Sequence, residues 1–256
     1  MANKQASRTF DRTVDASEIA KFAAMADEWW DPNGKFRPLH LFNPVRIEFL
    51  RDRIADHFGR DAKGGRPLDG LRLLDVGCGG GLLCEPMTRM GATVTGIDAT
   101  ERNTEIARIH AEAMDLDIDY RFTTASDLAD RGAAFDVVLN MEVIEHVADR
   151  QAFLNDCARL VRPGGLMFLA TLNRTPKAYM LAIVGAEYML RWLPRGTHDW
   201  KRFVRPSEMA AWLRHAGMEM RDISGVVYDP LNGAWKLAPH DLDVNYIAVA
   251  EKPDIG

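Results

Sequence analysis

Leu73-Leu74-Asp75-Val76-Gly77-Cys78-Gly79-Gly80-Gly81 is a strand-like run that breaks into a glycine-rich turn, and a helical pattern follows it from Leu82 to Met90, closed by Gly91. Glycines at that junction remove the side chains that would keep a ligand off the backbone at a helix start. The dinucleotide fingerprint G-x-G-x-x-G would need glycine at position 82, which is Leu82. A pyrophosphate also has no use for an acid at Asp75, just ahead of the loop. This weighs against a nicotinamide oxidoreductase. A cationic cofactor without phosphate, the sulfonium of S-adenosylmethionine, suits an acidic strand end and a G-x-G-x-G turn, with Asp75, Gly77 and Gly79 as contacts.

Outward from the loop, strand-like runs alternate with amphipathic helices. Leu71–Val76, Ala92–Asp98, Ile118–Thr124, Phe135–Met141 and Leu166–Asn173 read as strands; Glu101–Met114 and Arg150–Val161 read as helices. Short crossovers of this kind imply an α/β fold, doubly wound, with a mainly parallel seven-stranded Rossmann-like sheet. Toward the N-terminus, Asp15 and Glu18 form a D-x-x-E pair that predicts a helix from Ser17 to about Trp30. Asn43 and Pro44 then predict a second helix as N-cap and first residue, ending at Gly59. The Gly-rich, charged stretch 59–70 reads as a surface linker. The expected organisation is a helical cap over 1–60 and a cofactor-binding domain over 61–256, with a helical insertion at 174–202. After it come a helix from Pro206 to Gly217 and strands at Met218–Tyr228 and Val244–Ala250.

The composition is that of an ordinary globular chain: 256 residues, 47% hydrophobic, with 32 Lys and Arg against 37 Asp and Glu for a net charge of −5. The basic residues are dispersed, so no nucleic-acid partner is expected. Three cysteines without metal spacing indicate neither a disulfide framework nor a cysteine zinc site and suit a reducing cytoplasm. The first twenty residues lack the apolar core of a secretory signal, and the most apolar stretch, Ala178–Leu193, is broken by Glu187 and Arg191.

Asp98 ends the second strand 21 residues after Gly77, the position from which a carboxylate accepts ribose hydroxyls. Ser126-Asp127-Leu128 after the third strand offers Asp127 to an adenine amino group, or else caps a helix. After the fourth strand come Met141, which suits a wall of the cofactor site, and then Glu142, Glu145 and His146. Read as a helical turn, these three stand at i, i+3 and i+4 on one face and could hold Mg²⁺ or Zn²⁺; read otherwise, they are solvated groups at a helix start. Without a metal, His146 suits a general base. Arg46 suits a bidentate pair with a carboxylate, or a surface ion pair on its own helix.

LLDVGCGGG, VTGID and MEVIEHV resemble class I S-adenosylmethionine methyltransferases. The segments EIAKFAAMADEWWDPNGKFRPLHLFNPVR, TLNRTPKAYMLAIVGAEYMLRWLPRGTHDWKRF and DVNYI are similar to the ubiquinone biosynthesis O-methyltransferase family, over nearly the whole chain. The resemblance implies cofactor contacts at Arg46, Gly77, Asp98 and Met141, and metal ligands at Glu142, Glu145 and His146. It also implies methyl transfer to the phenolic hydroxyls of a polyprenylated catechol and of a demethylubiquinol, with other quinone-biosynthesis enzymes as candidate partners. Within the insertion, 176–195 reads as an amphipathic helix with Met180, Ile183, Val184, Tyr188 and Trp192 on a wide apolar face. Such a helix suits peripheral docking on the inner face of a membrane, or packing on the protein itself. His40, His198, Asp199 and Trp200 are further candidates for substrate contact. The rivals are a nicotinamide oxidoreductase and a non-catalytic lipid-binding protein that retains the cofactor fold; the intact Glu142, Glu145 and His146 set weighs against the second.

Overall fold

The computed structural model describes residues 12–181 and 199–254. Within them one sheet runs in the order β3-β2-β1-β4-β5-β8-β6-β7. Its strands are β1 (Arg72–Val76), β2 (Thr93–Asp98), β3 (Asp119–Phe122), β4 (Phe135–Met141), β5 (Val161–Leu172), β6 (Glu219–Asp229), β7 (Ala234–Ala238) and β8 (Asn245–Glu251). The first five pair in parallel; β8, β6 and β7 join antiparallel. The expected doubly wound sheet is therefore present with eight strands among the described residues rather than seven. The additional one, β7, closes a hairpin on β6 in which Tyr228 faces Trp235 and Asp229 faces Ala234. Asn232-Gly233, with Gly233 at φ +63, supplies the hairpin-turn signal.

The chain alternates sides because strand neighbours point to opposite faces. Leu73, Val137 and Phe168 enter one core with α2 (Arg37–His57), α3 (Cys84–Arg89) and α4 (Glu101–Ala113). Leu74, Val138 and Met167 enter the other with α5 (Ala125–Asp130), α6 (Arg150–Leu160) and α8 (Pro206–His215). With both faces covered, the central strands are buried along most of their length.

The N-terminal helices depart from their predicted bounds. α1 covers Ala16–Ala23, and a 3-10 turn at Ala26–Glu28 replaces its expected continuation to Trp30. Asp15 does cap it, accepting from the Ser17 backbone, but Glu18 turns away toward His146. The path breaks because Trp29 leaves it to stack on Phe36, 3.7 Å between centroids, over the glycine loop. α2 begins at Arg37, with Pro38 in its first turn, and runs through Pro44. Asn43 is thus not a cap: its amide donates to the Leu82 carbonyl at 2.7 Å. Burial of Phe42, Val45, Phe49 and Ile54 against the sheet outweighs the one helical hydrogen bond that Pro44 removes.

Of the insertion, α7 (Pro176–Ala178) is capped by Thr175. The predicted helix positions Ile183, Val184, Glu187, Tyr188, Arg191, Trp192 and Arg195 lie outside the described residues, as does His198. Among the described residues no helix is long and apolar enough to cross a membrane.

Phe168 on β5 is fully buried beneath α2, where it meets Phe49 edge-on. Phe168→Ala is expected to destabilise the protein by about 3–5 kcal/mol, read as a lowered urea midpoint with unchanged slope; a loss under about 1 kcal/mol would mean that this core collapses around the cavity.

Candidate functional site

Val76 delivers the backbone from the centre of the sheet into a turn where Gly77, Gly79 and Gly81 all have positive φ (72, 53 and 89). A Cβ at Gly77 would meet Val143 Cγ2 at 2.6 Å, one at Gly79 would run into the Trp29 ring, and one at Gly81 would strike the Tyr120 hydroxyl. The loop is therefore glycine for two reasons, backbone sign and lack of room. Beside it lies a cavity of ≈ 780 Å³, whose lining includes Gly77, Gly79, Asp98, Met141 and His146.

Asp98 ties the loop to the second strand. One carboxylate oxygen accepts from Gly79 N at 3.0 Å; the other accepts from Thr100 N at 2.7 Å and from Asn103 Nδ2 at 3.2 Å. Asn103 in turn accepts from Trp29 Nε1 at 3.0 Å, so the cap, α4, β2 and the loop share one hydrogen-bonded chain. Burial holds the Asp98 carboxyl above its ordinary range against these donors. A carboxylate has about four acceptor sites and these donors take three, so about one remains for a ribose hydroxyl.

Two predicted contacts sit elsewhere. Asp75 does not line the cavity: it lies behind the loop, buried, and accepts from Cys84 Sγ at 3.3 Å. It is the penultimate residue of β1, and the pleat turns it into the core. Asp127 is exposed on α5, one turn beyond the true cap, Thr124, whose hydroxyl accepts from Asp127 N. The residues that line the cavity there are Thr123, Thr124 and Ala125.

Glu142, Glu145 and His146 all line the cavity but do not share a helical face. Glu142 has φ +56, and only Ile144–His146 form a turn, of 3-10 type. The three side chains are drawn to three partners. Arg46 donates to Glu142 Oε2 at 2.6 Å, Thr171 donates to Glu145 Oε2 at 2.9 Å, and His146 Nδ1 lies 2.7 Å from Glu18 Oε2. Among the described residues no three His, Cys, Asp or Glu side chains are grouped to hold a metal ion. This donor arrangement does not fit the expected metal set.

Burial raises the Glu142 carboxyl above its ordinary range despite Arg46, whereas the hydrogen bond from His146 lowers Glu18. Arg46 is itself buried, on Glu142 and on Asn43 Oδ1 at 2.7 Å, and its Nε has no hydrogen-bond partner among the described residues. The alternative of a surface ion pair is thereby removed.

Several residues of the site carried no signal of their own. Glu18 and Phe22 reach His146 from α1, and Trp30 donates to the Gly80 carbonyl at 2.9 Å while stacking on His110 at 3.5 Å. The Trp29-Trp30 pair was visible as an unusual dipeptide, but nothing in its spacing pointed to a loop fifty residues on. His40 bonds the Trp29 carbonyl, Asp199 caps a 3-10 turn, and Trp200 donates to the Thr175 carbonyl, so these three brace the walls.

A family model described as a methyltransferase domain matches residues 42–223. The chain is 58% identical over 241 residues to the ubiquinone biosynthesis O-methyltransferase of Chelativorans sp. (94% of this chain, 95% of the relative). It is 59% identical over 247 residues to the protein of that name from Sinorhizobium medicae (96% and 99%). In fold it is similar to an S-adenosylmethionine-dependent methyltransferase from Clostridium acetobutylicum, with TM-score 0.63, 12% identity and coverage of 91% and 98%. It is likewise similar to the magnesium protoporphyrin IX methyltransferase of Synechocystis, solved with bound S-adenosylmethionine, with TM-score 0.59, 16% identity and coverage of 94% and 98%.

Burial pushes the Asp75 carboxyl from 3.8 up to about 7. Folding therefore takes up a proton there, and the associated stability falls as pH rises from about 4 to about 7. Asp75→Asn cannot ionise, so its urea midpoint is expected to fall less across that window than that of the unaltered protein; parallel profiles would show that Asp75 is ionised throughout.

Proposed function

Because the chain belongs to the ubiquinone biosynthesis O-methyltransferase family, we propose that it methylates phenolic hydroxyls of ring intermediates in ubiquinone synthesis. The acceptors are a polyprenylated catechol (2-polyprenyl-6-hydroxyphenol) and 3-demethylubiquinol. S-adenosylmethionine is the methyl donor, and when bound it supplies a methyl group made electrophilic by the adjacent sulfonium. The observation that carries the acceptor chemistry is the His146–Glu18 pair in the wall of the cavity that the glycine loop also lines.

The chain's own residues divide the work. Gly77 and Gly79 admit the cofactor to the backbone, Asp98 accepts from a ribose hydroxyl, and Met141 and Thr123–Ala125 wall the adenosine end. Arg46 takes the methionine carboxylate, for which its hydrogen-bonding capacity is shared with Glu142. Asp75 acts indirectly, through the packing of the loop.

Glu18 is held low and so stays a carboxylate that can only accept, which puts the imidazole proton on Nδ1. The second ring nitrogen of His146 then takes the phenolic proton as the oxygen attacks in line. Glu145, tethered by Thr171, accepts the neighbouring hydroxyl and orients the ring. Alignment and deprotonation supply most of the acceleration.

The protein is also proposed to dock reversibly on a membrane surface through 176–195. Tyr179, Met180 and Leu181, at the start of that segment, are exposed (44%, 56% and 54%).

Labelled methyl transfer to a short-chain demethylubiquinol and to catechol tests the activity. His146→Ala is expected to lower kcat by about 10²–10⁴-fold with cofactor affinity kept within about threefold; no transfer by the unaltered protein to either acceptor, with cofactor bound, would overturn the assignment. Flotation with anionic liposomes tests docking: Met180→Glu with Trp192→Glu is expected to move the protein to the soluble fraction, and an unchanged distribution would refute it.

A further inference from the structure

The cavity extends well past the cofactor contacts. Its lining also takes in Leu39 and Phe42 of α2, Val226, Tyr228 and Trp235 of the β6–β7 hairpin, and Leu181, and these residues make up its apolar limb. The connection can be followed contact by contact. The Arg46 guanidinium lies 5.0 Å from the Phe42 ring centroid, Phe42 meets Trp235 at 5.0 Å, and Trp235 meets Tyr228 at 5.5 Å. An aromatic wall therefore begins where the polar cluster ends.

The eighth strand accounts for that wall. No residue of β7 is fully buried, so the strand adds little to the core. Its helical contact is α2, and Trp235 is the side chain that brings the hairpin to Phe42. A strand that buries so little yet carries an aromatic into the cavity serves the cavity. Lys177 and Asp241, which also line the cavity, are engaged in ion pairs: Lys177 reaches Asp241 at 3.1 Å and Asp243 at 3.2 Å. The limb reaches the surface, because Leu181 and Pro230 both line it and are exposed.

A passage that is polar at the reacting end, apolar and aromatic along its length and open at the far end matches a polar ring carrying a flexible hydrocarbon substituent. Resting on the acceptor reading above, we propose that the limb between α2 and the β6–β7 hairpin is the binding site for the isoprenoid side chain of the acceptor, with Trp235 as the residue that selects for it. The apolar contact made there lowers KM for prenylated acceptors, while the ring alone still reaches His146.

The test compares kcat/KM for catechol and for a farnesyl-substituted catechol in the full-length protein, Trp235→Ala and Trp235→Phe. The unaltered protein is expected to prefer the farnesylated acceptor by at least about tenfold. Trp235→Ala should erase about tenfold of that ratio through KM, and Trp235→Phe should keep it within about threefold. Calorimetric cofactor affinity checks that each variant is folded, and Trp235→Leu carries the same comparison if the alanine variant does not fold. A ratio unchanged in Trp235→Ala, an equal loss on both acceptors, or transfer to catechol without preference for the farnesyl group would each overturn the site while leaving the methyltransferase reading intact. Failure of the unaltered protein to methylate either acceptor would overturn that reading and the site with it.

Discussion

The backbone between β1 and α3 turns through three left-handed glycines, and each is covered by a side chain from a different part of the chain: Val143 at Gly77, Trp29 at Gly79 and Tyr120 at Gly81. None of these positions can carry a Cβ without moving a packed group. The covering residues come from the turn after β4, from the N-terminal cap and from β3, so one short loop sets how all three meet. Asp98 reinforces this from β2 by accepting the Gly79 amide. The loop beside the cavity is thus held in place because unrelated segments are pressed against the same few atoms.

A second constraint is the handling of acidic groups close to the cavity. Asp75, Asp98 and Glu142 are all raised by burial, and each has a donor that limits the cost of enclosure: Cys84, the Gly79 and Thr100 amides, and Arg46. Glu18 goes the other way because His146 bonds to it. Three of the links that hold the cap to the sheet domain therefore carry charge: Arg46 to Glu142, Glu18 to His146, and Arg202 to Asp15. Their partners lie between 96 and 187 residues apart in the chain, so these contacts exist only once the fold is assembled.

The hairpin at the sheet's far edge is a small addition to a common architecture that reaches the cavity through Trp235. The parallel half carries the glycine loop that lines the cavity. The antiparallel half adds β6 and β7, and with them an apolar wall facing α2. The same fold recurs in solved structures at identities of 12% and 16%, and a shared fold does not by itself set specificity, which depends on what is grafted around the sheet.

By itself the sequence determined the elements whose cause is local. Apolar runs alternating with helical patterns set the strands from Arg72 to Leu172, the glycines marked the turn into α3, and Asp98 was legible because its distance from Gly77 follows from one βαβ unit. Only the tertiary structure decided where side chains of distant segments meet. α2 runs through Pro44 because the sheet rewards Phe42 and Phe49, Trp29 leaves its helix for the glycine loop, and Glu142, Glu145 and His146 part toward Arg46, Thr171 and Glu18 instead of converging. Spacing along a chain encodes which face a residue takes within one element; it holds no information about a partner a hundred residues away, whose position depends on the packing of everything between.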